Sequence, residues 1–230
     1  MKLEKLLYHQ LRLGRREARR VLAEGGVTVD GKTATDPLLR VDEFSLVEHE
    51  GRVLQGKQRR FLMVHKPAGH VSSVGHHQHP TVLDLLPEDL REGMHYAGRL
   101  DLTSTGLMIV TNDGKWSRRL TEPERDVPKV YRVATDRDIG ADVLERFAAG
   151  IYFAYEDITT LPAELEILGP REARLTLHEG KYHQVKRMFH AVGNRVTALH
   201  RERIGPIELD IAEGRWRDLS DAEVEWVAAG

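Results

Sequence analysis

Two short apolar runs, at residues 61–64 (FLMV) and 107–110 (LMIV), constrain the fold of this chain more than any other feature. A turn signal, Asn112-Asp113-Gly114, closes the second run. A run of four apolar residues bounded by a turn is typical of a buried strand. The chain therefore contains a sheet whose strands are embedded in a hydrophobic core.

The apolar pattern of the rest of the larger domain predicts its other strands and its helices. Strands are predicted at 61–65, 106–111, 129–135, 163–168 and 173–178. Helices are predicted near 81–86, 115–120, 140–149, 183–192 and 220–227. Strands and helices do not alternate strictly, so we predict an α+β domain on a mixed, largely antiparallel sheet.

The first 57 residues have a different pattern. Four leucines (3, 6, 7 and 11) fall at helical spacing, and a second helix is predicted from about residue 15 to the break at Gly25-Gly26. Short strands are predicted on both sides of the turn at Asp30-Gly31 and again at 44–51.

A polar stretch, QGKQRR at 55–60, is the best linker candidate. We therefore predict a small N-terminal domain at 1–57 and a larger domain at 58–230. The first 20 residues hold seven Lys or Arg and two Glu. Such a cluster is either an ordinary solvated helix face or a surface that faces phosphates.

Composition excludes several classes of function. The net charge of −2 means that any basic surface for a nucleic acid must be local. The absence of cysteine removes disulfides, thiolate nucleophiles and cysteine zinc sites, and it is consistent with a reducing, cytoplasmic location. No apolar stretch is long enough for a signal peptide or a membrane span.

Three blocks of the larger domain carry polar side chains suited to chemistry. The first is GRLDLTSTGL at 98–107, and the second is KVYRV at 129–133. The third spans 177–205 and is basic: between Lys181 and Arg203 it has six Lys or Arg and one acidic residue, with Tyr182 and Phe189 interleaved. A basic helix followed by a basic strand is typical of a surface that binds a row of phosphates.

Two other polar clusters have the composition of a functional site. His70, His76, His77 and His79 lie close together, but they lack an acidic ligand and the i, i+4 spacing of a helical metal site. The carboxyl groups around Pro123 (Glu122, Glu124 and Asp126) have the composition of a glycosidase pair, but they fall in a predicted exposed loop. We set both readings aside.

The segment GRREARRVLAEGGVTVDGK resembles the S4 domain, a small RNA-binding module, although the opening Lys2-Leu3-Glu4-Lys5 departs mildly from the usual one. The larger domain resembles the pseudouridine synthases that carry an S4 domain and act on ribosomal RNA. The matching motifs are HKPAG, AGRLDLTSTGL, KVYRV and EGKYHQVKRM, in that order. The segment LHRERIG is most similar to members that act on 16S ribosomal RNA.

The resemblance implies roles for individual residues. Asp101 is implied as the essential carboxylate, and its action at C1′, at C6 or on a sugar proton is left open. Lys186 is implied as the cation that keeps Asp101 ionised, and Tyr131 as a ring that stacks on the uracil or carries a proton at C5. The isomerisation implies no cofactor and no metal.

The partner implied by the resemblance is ribosomal RNA, either free or in a partly assembled small subunit. Basic residues in both domains are the expected RNA contacts: Arg12, Arg15, Arg16, Arg19, Arg20, Lys66, Arg99, Lys129, Lys181, Arg187, Arg201 and Arg203. Two alternatives stay open from the sequence, the same reaction on 23S ribosomal RNA and a non-catalytic RNA-binding or assembly factor. The presence of Asp101, Tyr131 and Lys186 together argues against the second.

Overall fold

The computed structural model of the chain describes residues 1–73 and 78–229. The chain divides into two units, Met1–Arg59 and Arg60–Gly230. Among the described residues, no helix has both the length and the apolar character needed to cross a membrane.

The N-terminal unit consists of two helices followed by a small antiparallel sheet. Its elements are α1 (Leu3–Leu11), α2 (Arg15–Ala23), β1 (Val27–Val29), β2 (Lys32–Thr33), β3 (Val47–His49) and β4 (Arg52–Gln55). The strand order is β2-β1-β3-β4. The turn between β1 and β2 is made by Asp30 and Gly31, both at positive φ, as expected for a tight hairpin.

The core of this unit comes from the helical leucine pattern. Leu3, Leu6 and Leu7 of α1 pack with Ala18 and Leu22 of α2, and all five are almost inaccessible to solvent. The apolar side of each helix is thereby buried, and the arginines of α2 are left on its exposed side.

The larger unit begins with β5 (Phe61–Lys66) and is built on one main sheet. The other strands of this unit are β6 (His95–Tyr96), β7 (Thr105–Thr111), β8 (Lys129–Thr135), β9 (Tyr152–Phe153), β10 (Ile158–Thr159), β11 (Glu164–Gly169), β12 (Glu172–Leu177), β13 (Val196–Ile204), β14 (Ile207–Glu208) and β15 (Trp216–Asp218). Of these, β9 and β10 form a separate two-stranded sheet. Its α-helices are α3 (Gly114–Thr121), α4 (Asp142–Ala149), α5 (Gln184–Ala191) and α6 (Asp221–Ala229).

The main sheet has the order β11-β12-β8-β13-β7-β5-β15, with β14 paired to β13 and β6 to β7. Among the described strands of this sheet, the pairing of β13 with β7 is parallel and the others are antiparallel. The predicted α+β class on a mixed, largely antiparallel sheet is confirmed.

Both faces of the central strands are covered. Leu62 and Val64 of β5 belong to one hydrophobic cluster, whereas Met63 between them belongs to another. Neighbouring β7 alternates in the same way, with Met108 in the first cluster and Leu107 in the second. This alternation explains why these strands are continuous apolar runs in the sequence.

Some predicted elements differ from the structure. The helix expected near 81–86 is a short 3₁₀ helix at Val82–Leu85, which follows Thr81. The hairpin β9–β10 and the edge strand β15 were not predicted, because two or three residues do not give a readable period. The carboxyl groups around Pro123 are exposed beside a 3₁₀ helix, Pro123–Arg125.

Candidate active site

The carboxylate of Asp101 is held by the segment that joins β6 to β7. The amide of Ser104 donates to the Asp101 carbonyl at 3.1 Å and closes a turn. The preceding Leu100 is buried, and its amide donates to the Ser72 hydroxyl oxygen at 3.2 Å. Because its neighbours are fixed in the interior, Asp101 projects a side chain that is about 25% exposed.

Two side chains from the closing motif contact the two oxygens of this carboxylate. Lys186 Nζ lies 2.7 Å from Asp101 Oδ2 and 3.2 Å from the Thr103 hydroxyl oxygen. His183 Nε2 lies 3.2 Å from Asp101 Oδ1. Both come from the start of α5, where His183 is the N-cap residue at φ 48°. The carboxylate is thus oriented at both oxygens by one helix end.

Lys66 fixes the same segment from below the surface. Its side chain has no exposed area, and its ammonium group donates to the carbonyls of Pro67 (3.1 Å), Leu102 (3.3 Å) and Ser104 (2.5 Å). The last two carbonyls belong to the turn from Asp101 to Ser104. Lys66 therefore holds that turn, and with no exposed area in this structure its predicted contact with RNA stays a prediction.

The pKa of Lys66 is lowered to about 8, mainly because the side chain is buried. The negative charge of Asp101 raises this pKa, and the positive charges of Lys186 and Arg201 lower it further. A lysine with a lowered pKa in the folded state loses its proton there first. Between about pH 8 and the ordinary value of 10.5, the unfolded chain therefore binds more protons. The contribution of Lys66 to stability must rise with pH across this window.

We expect this rise to disappear when Lys66 is replaced by Met. Across pH 8 to 10.5 the wild-type chain should gain about 1–3 kcal/mol in unfolding free energy relative to Lys66→Met. Denaturant unfolding of both proteins at several pH values measures the difference, with exposed Lys115→Met as the control. Parallel pH profiles for wild type and Lys66→Met would contradict the assignment.

Arg201 of β13 is the second buried cation of the site. Its Nε donates to the Leu107 carbonyl at 2.8 Å, and its guanidinium lies 6.0 Å from the ring centre of Tyr131 on β8. Arg201 is paired with Gly106 on one side and with Tyr131 on the other. A Cβ atom on Gly106, at φ 111°, would lie 2.4 Å from the Arg201 carbonyl oxygen, so only glycine fits there.

Tyr131 is the aromatic residue of the site and is almost buried, at 8% exposure. Its hydroxyl has no hydrogen bond to any residue in the described ranges. Lys129, two residues earlier on the same strand, has a pKa lowered by burial and then by the charge of Arg201. The strand order therefore brings the ring of Tyr131, the buried Arg201 and the half-buried Lys129 to the same pocket as Asp101.

A pocket of about 690 Å³ opens at Asp101. That volume is in the range of small-molecule sites. The predicted site residues that line it are Arg99, Asp101, Lys129, Tyr131, Lys181 and Arg201. Lys186 lines an adjoining cavity of about 90 Å³, which also includes Asp101 and Tyr131.

Four further residues line the pocket without a predicted role in the site, namely Ser72, Glu179, Tyr182 and His183. Glu179 is buried and forms an ion pair with Lys181, and its carboxylate accepts from Gln184 Nε2 at 2.6 Å. His183 and Glu179 both lie within the closing motif, so the motif itself was the signal that pointed to them. For Ser72 we find no comparable signal in the sequence.

The predicted RNA-contact arginines have different surroundings. Arg99 is exposed at the pocket. Arg187 pairs with Glu156, and its guanidinium lies 3.7 Å from the ring centre of Phe153. Arg203 does not line this pocket and lies 3.9 Å from Glu208. Of the three, Arg99 has the geometry for direct contact with a ligand in the pocket.

In the N-terminal unit the five predicted arginines are all exposed: Arg12, Arg15, Arg16, Arg19 and Arg20. Arg19 donates to Glu4 at 2.8 Å, and Arg20 lies 3.8 Å from Glu24. Arg19 and Arg20 therefore each have an acidic partner within the N-terminal unit.

The alternative of a histidine metal site falls partly outside the described residues, which omit His76 and His77. Within residues 1–73 and 78–229, no group of three histidine or acidic side chains is placed to hold a metal ion.

Comparison with known proteins places this geometry in a family. Residues 60–191 match the model of the RNA pseudouridylate synthases, and residues 1–47 match that of the S4 domain. A relative from Pseudomonas aeruginosa, called ribosomal small subunit pseudouridine synthase A, is 52% identical and covers 97% of this chain and 99% of its own. One of the same name from Vibrio cholerae is 45% identical, over 97% and 98% of the two chains.

Among solved structures, a crystal structure of a pseudouridylate synthase aligns with 99% of both chains at a TM-score of 0.72 and 34% identity. The match thus extends over both units, and the larger one holds Asp101, Tyr131 and Lys186 around one pocket. With these matches in sequence and fold, the chain belongs to the RNA pseudouridylate synthase family, in the branch that carries an N-terminal S4 domain.

Proposed function

We propose that this protein converts a uridine of small-subunit (16S) ribosomal RNA to pseudouridine in the cytoplasm of a bacterium. The substrate is supported by the shared name of the bacterial relatives, which are 42–52% identical to this chain over nearly their full length. The observation that carries the reaction is the ion pair between Asp101 and Lys186 at an open pocket.

The reaction breaks the bond between N1 and C1′, turns the uracil and joins C5 to C1′. A proton leaves C5 and one is gained at N1, so the product contains the same atoms as the substrate. No redox partner or activated group is consumed, and the proposed chemistry needs no cofactor.

Asp101 is the carboxylate that acts on the uridine in this proposal. A partly buried carboxylate is costly to ionise, and a cation at 2.7 Å offsets that cost. Lys186 supplies this charge at one oxygen. Lys66 binds two carbonyls of the turn from Asp101 to Ser104 and is therefore a positioning residue.

Tyr131 and Arg99 receive roles from their positions at the pocket. The uridine has to leave its stack before the reaction, at a cost of a few kcal/mol. In this proposal the ring of Tyr131 is a surface for the extruded uracil, or its hydroxyl carries a proton at C5. Arg99 is exposed beside Asp101 and binds a phosphate next to the target nucleotide.

The direct test uses unmodified 16S ribosomal RNA, 23S ribosomal RNA and transfer RNA. Each is incubated with the protein, and pseudouridine is mapped at nucleotide resolution. We expect modification of one 16S uridine. Modification confined to 23S RNA would identify 23S RNA as the substrate. The absence of pseudouridine in every RNA would favour a non-catalytic binding factor.

The proposal assigns phosphate binding to the exposed side of α2. We expect Arg15→Ala combined with Arg16→Ala to weaken binding of 16S RNA and to make the slope of log K against log salt shallower by about 1–2. These two arginines are chosen because Arg19 and Arg20 have acidic partners. Filter binding at several salt concentrations measures the slope.

The matched control removes two exposed positive charges from the strands of the same unit, Lys32→Ala combined with Arg52→Ala. This pair should change the slope less. If both double variants keep the wild-type affinity and slope, the basic side of α2 is solvated surface and the assignment is wrong.

A further inference from the structure

An exposed aromatic residue lies beside the catalytic carboxylate and has no function in the reaction described above. The ring of Tyr182 stacks on that of His183 with their centres 3.9 Å apart and their planes 17° apart. His183 in turn contacts Asp101, and both residues line the main pocket. Below, the stacked pair means Tyr182 and His183.

The stacked pair leaves an aromatic surface open to solvent. Tyr182 is 70% exposed even though one face of its ring is covered by His183. Its side chain therefore adds little to the hydrophobic core. A large ring in this position exposes apolar area that a partner can cover.

The backbone under the ring is firmly held. The Lys181 amide donates to Gln184 Oε1 at 2.9 Å, and the Gln184 amide donates to the Lys181 carbonyl at 3.1 Å. Arg187 Nη1 donates to the Tyr182 carbonyl at 3.3 Å. A ring already fixed on its neighbour loses little conformational entropy when a ligand stacks on it.

We propose that the stacked pair is a platform for one base of the RNA next to the target uridine. This inference rests on the proposed function, since the target uridine enters the pocket at Asp101 and its neighbours in the strand lie at the pocket mouth. Bases of single-stranded RNA are commonly bound by stacking on aromatic side chains. His183 joins the platform to the carboxylate, so the flanking base positions the uridine relative to Asp101.

The first arm of the test replaces Tyr182 in the full chain. On the 16S segment that the wild type modifies, Tyr182→Ala is expected to raise Kd and KM by about 5- to 150-fold, as measured for base–aromatic stacking. The kcat should stay within about twofold, because Asp101, Lys186 and His183 are unchanged. Tyr182→Phe keeps the ring and should remain within about twofold of wild type in all three constants. Tyr155→Ala is the matched control, since Tyr155 is 96% exposed but does not line the pocket.

The second arm removes the base instead of the ring. RNAs with an abasic nucleotide on the 5′ or the 3′ side of the target uridine are bound to wild type and to Tyr182→Ala. If the platform holds one flanking base, the two proteins bind one of these abasic RNAs with nearly equal affinity. Wild type and Tyr182→Ala would then differ in affinity for the intact RNA but not for that abasic RNA, which is the coupling expected when the ring contacts the base directly.

Three results would overturn the platform. They are an unchanged Kd in Tyr182→Ala, a fall in kcat with KM retained, and a loss of affinity that persists with both abasic RNAs. Failure of the proposed function is seen separately, as absence of pseudouridine with wild-type protein. In that case fluorescence anisotropy with a single-stranded RNA oligonucleotide still compares the affinities of wild type, Tyr182→Ala and Tyr182→Phe, and equal affinities would refute stacking.

Discussion

Replacing Asp101 by Asn is expected to slow pseudouridine formation by about 10⁴-fold or more, the size of loss typical of an essential nucleophile or base. The amide has the shape of the carboxylate and keeps an oxygen for Lys186, so the fold and RNA binding should be retained. What is lost is the negative charge and the ability to attack or to accept a proton. Single-turnover kinetics on a modifiable 16S segment measures the rate.

The matched control for this experiment is Asp138→Asn, which changes an exposed carboxylate that pairs with Arg171. Its rate should equal that of the wild type within about twofold, as is usual for surface substitutions. An Asp101→Asn protein within tenfold of wild type would refute the assignment of Asp101. RNA affinity measured on the same samples separates a chemical defect from a binding defect.

The substitution Lys186→Met should have the second largest effect. Removing the cation at 2.7 Å leaves Asp101 with less compensation for its charge, and the rate should fall by about 10²–10³-fold. RNA affinity should change much less than the rate.

Lys186→Arg is the conservative comparison, because it keeps a positive charge on a long side chain. It should restore most of the rate. If Lys186 contacts only phosphate, Lys186→Met would instead weaken binding and flatten the salt dependence, with the single-turnover rate at saturating RNA retained. The rate at saturating RNA and the salt slope therefore separate the two roles.

Asp101 illustrates how far the sequence reaches into the site. The block around it and the closing motif single out Asp101 and Lys186 by resemblance, although 85 positions separate them. Their distance and orientation depend on the packing of α5 against the sheet. The contact of His183 with the second carboxylate oxygen depends on the same packing. No local pattern encodes which oxygen each side chain meets.

Lys66 and Arg99 show most clearly what the sequence cannot predict about the site. Both are basic residues within motifs, and the sequence treats them alike as RNA contacts. In the structure Lys66 is fully buried and holds carbonyls of the Asp101 segment, whereas Arg99 is exposed at the pocket. Whether a charged side chain is buried depends on which distant parts of the chain pack over it.

The sequence by itself determined the two helices and hairpin of the N-terminal unit and five strands of the larger sheet, namely β5, β7, β8, β11 and β12. It did so because apolar periodicity and turn residues act over a few neighbouring positions. Only the tertiary structure decided the order of the strands, including the parallel pairing of β13 with β7 that sets Arg201 beside Gly106. That order depends on contacts between residues far apart in the chain, and so do the charges and distances around Asp101.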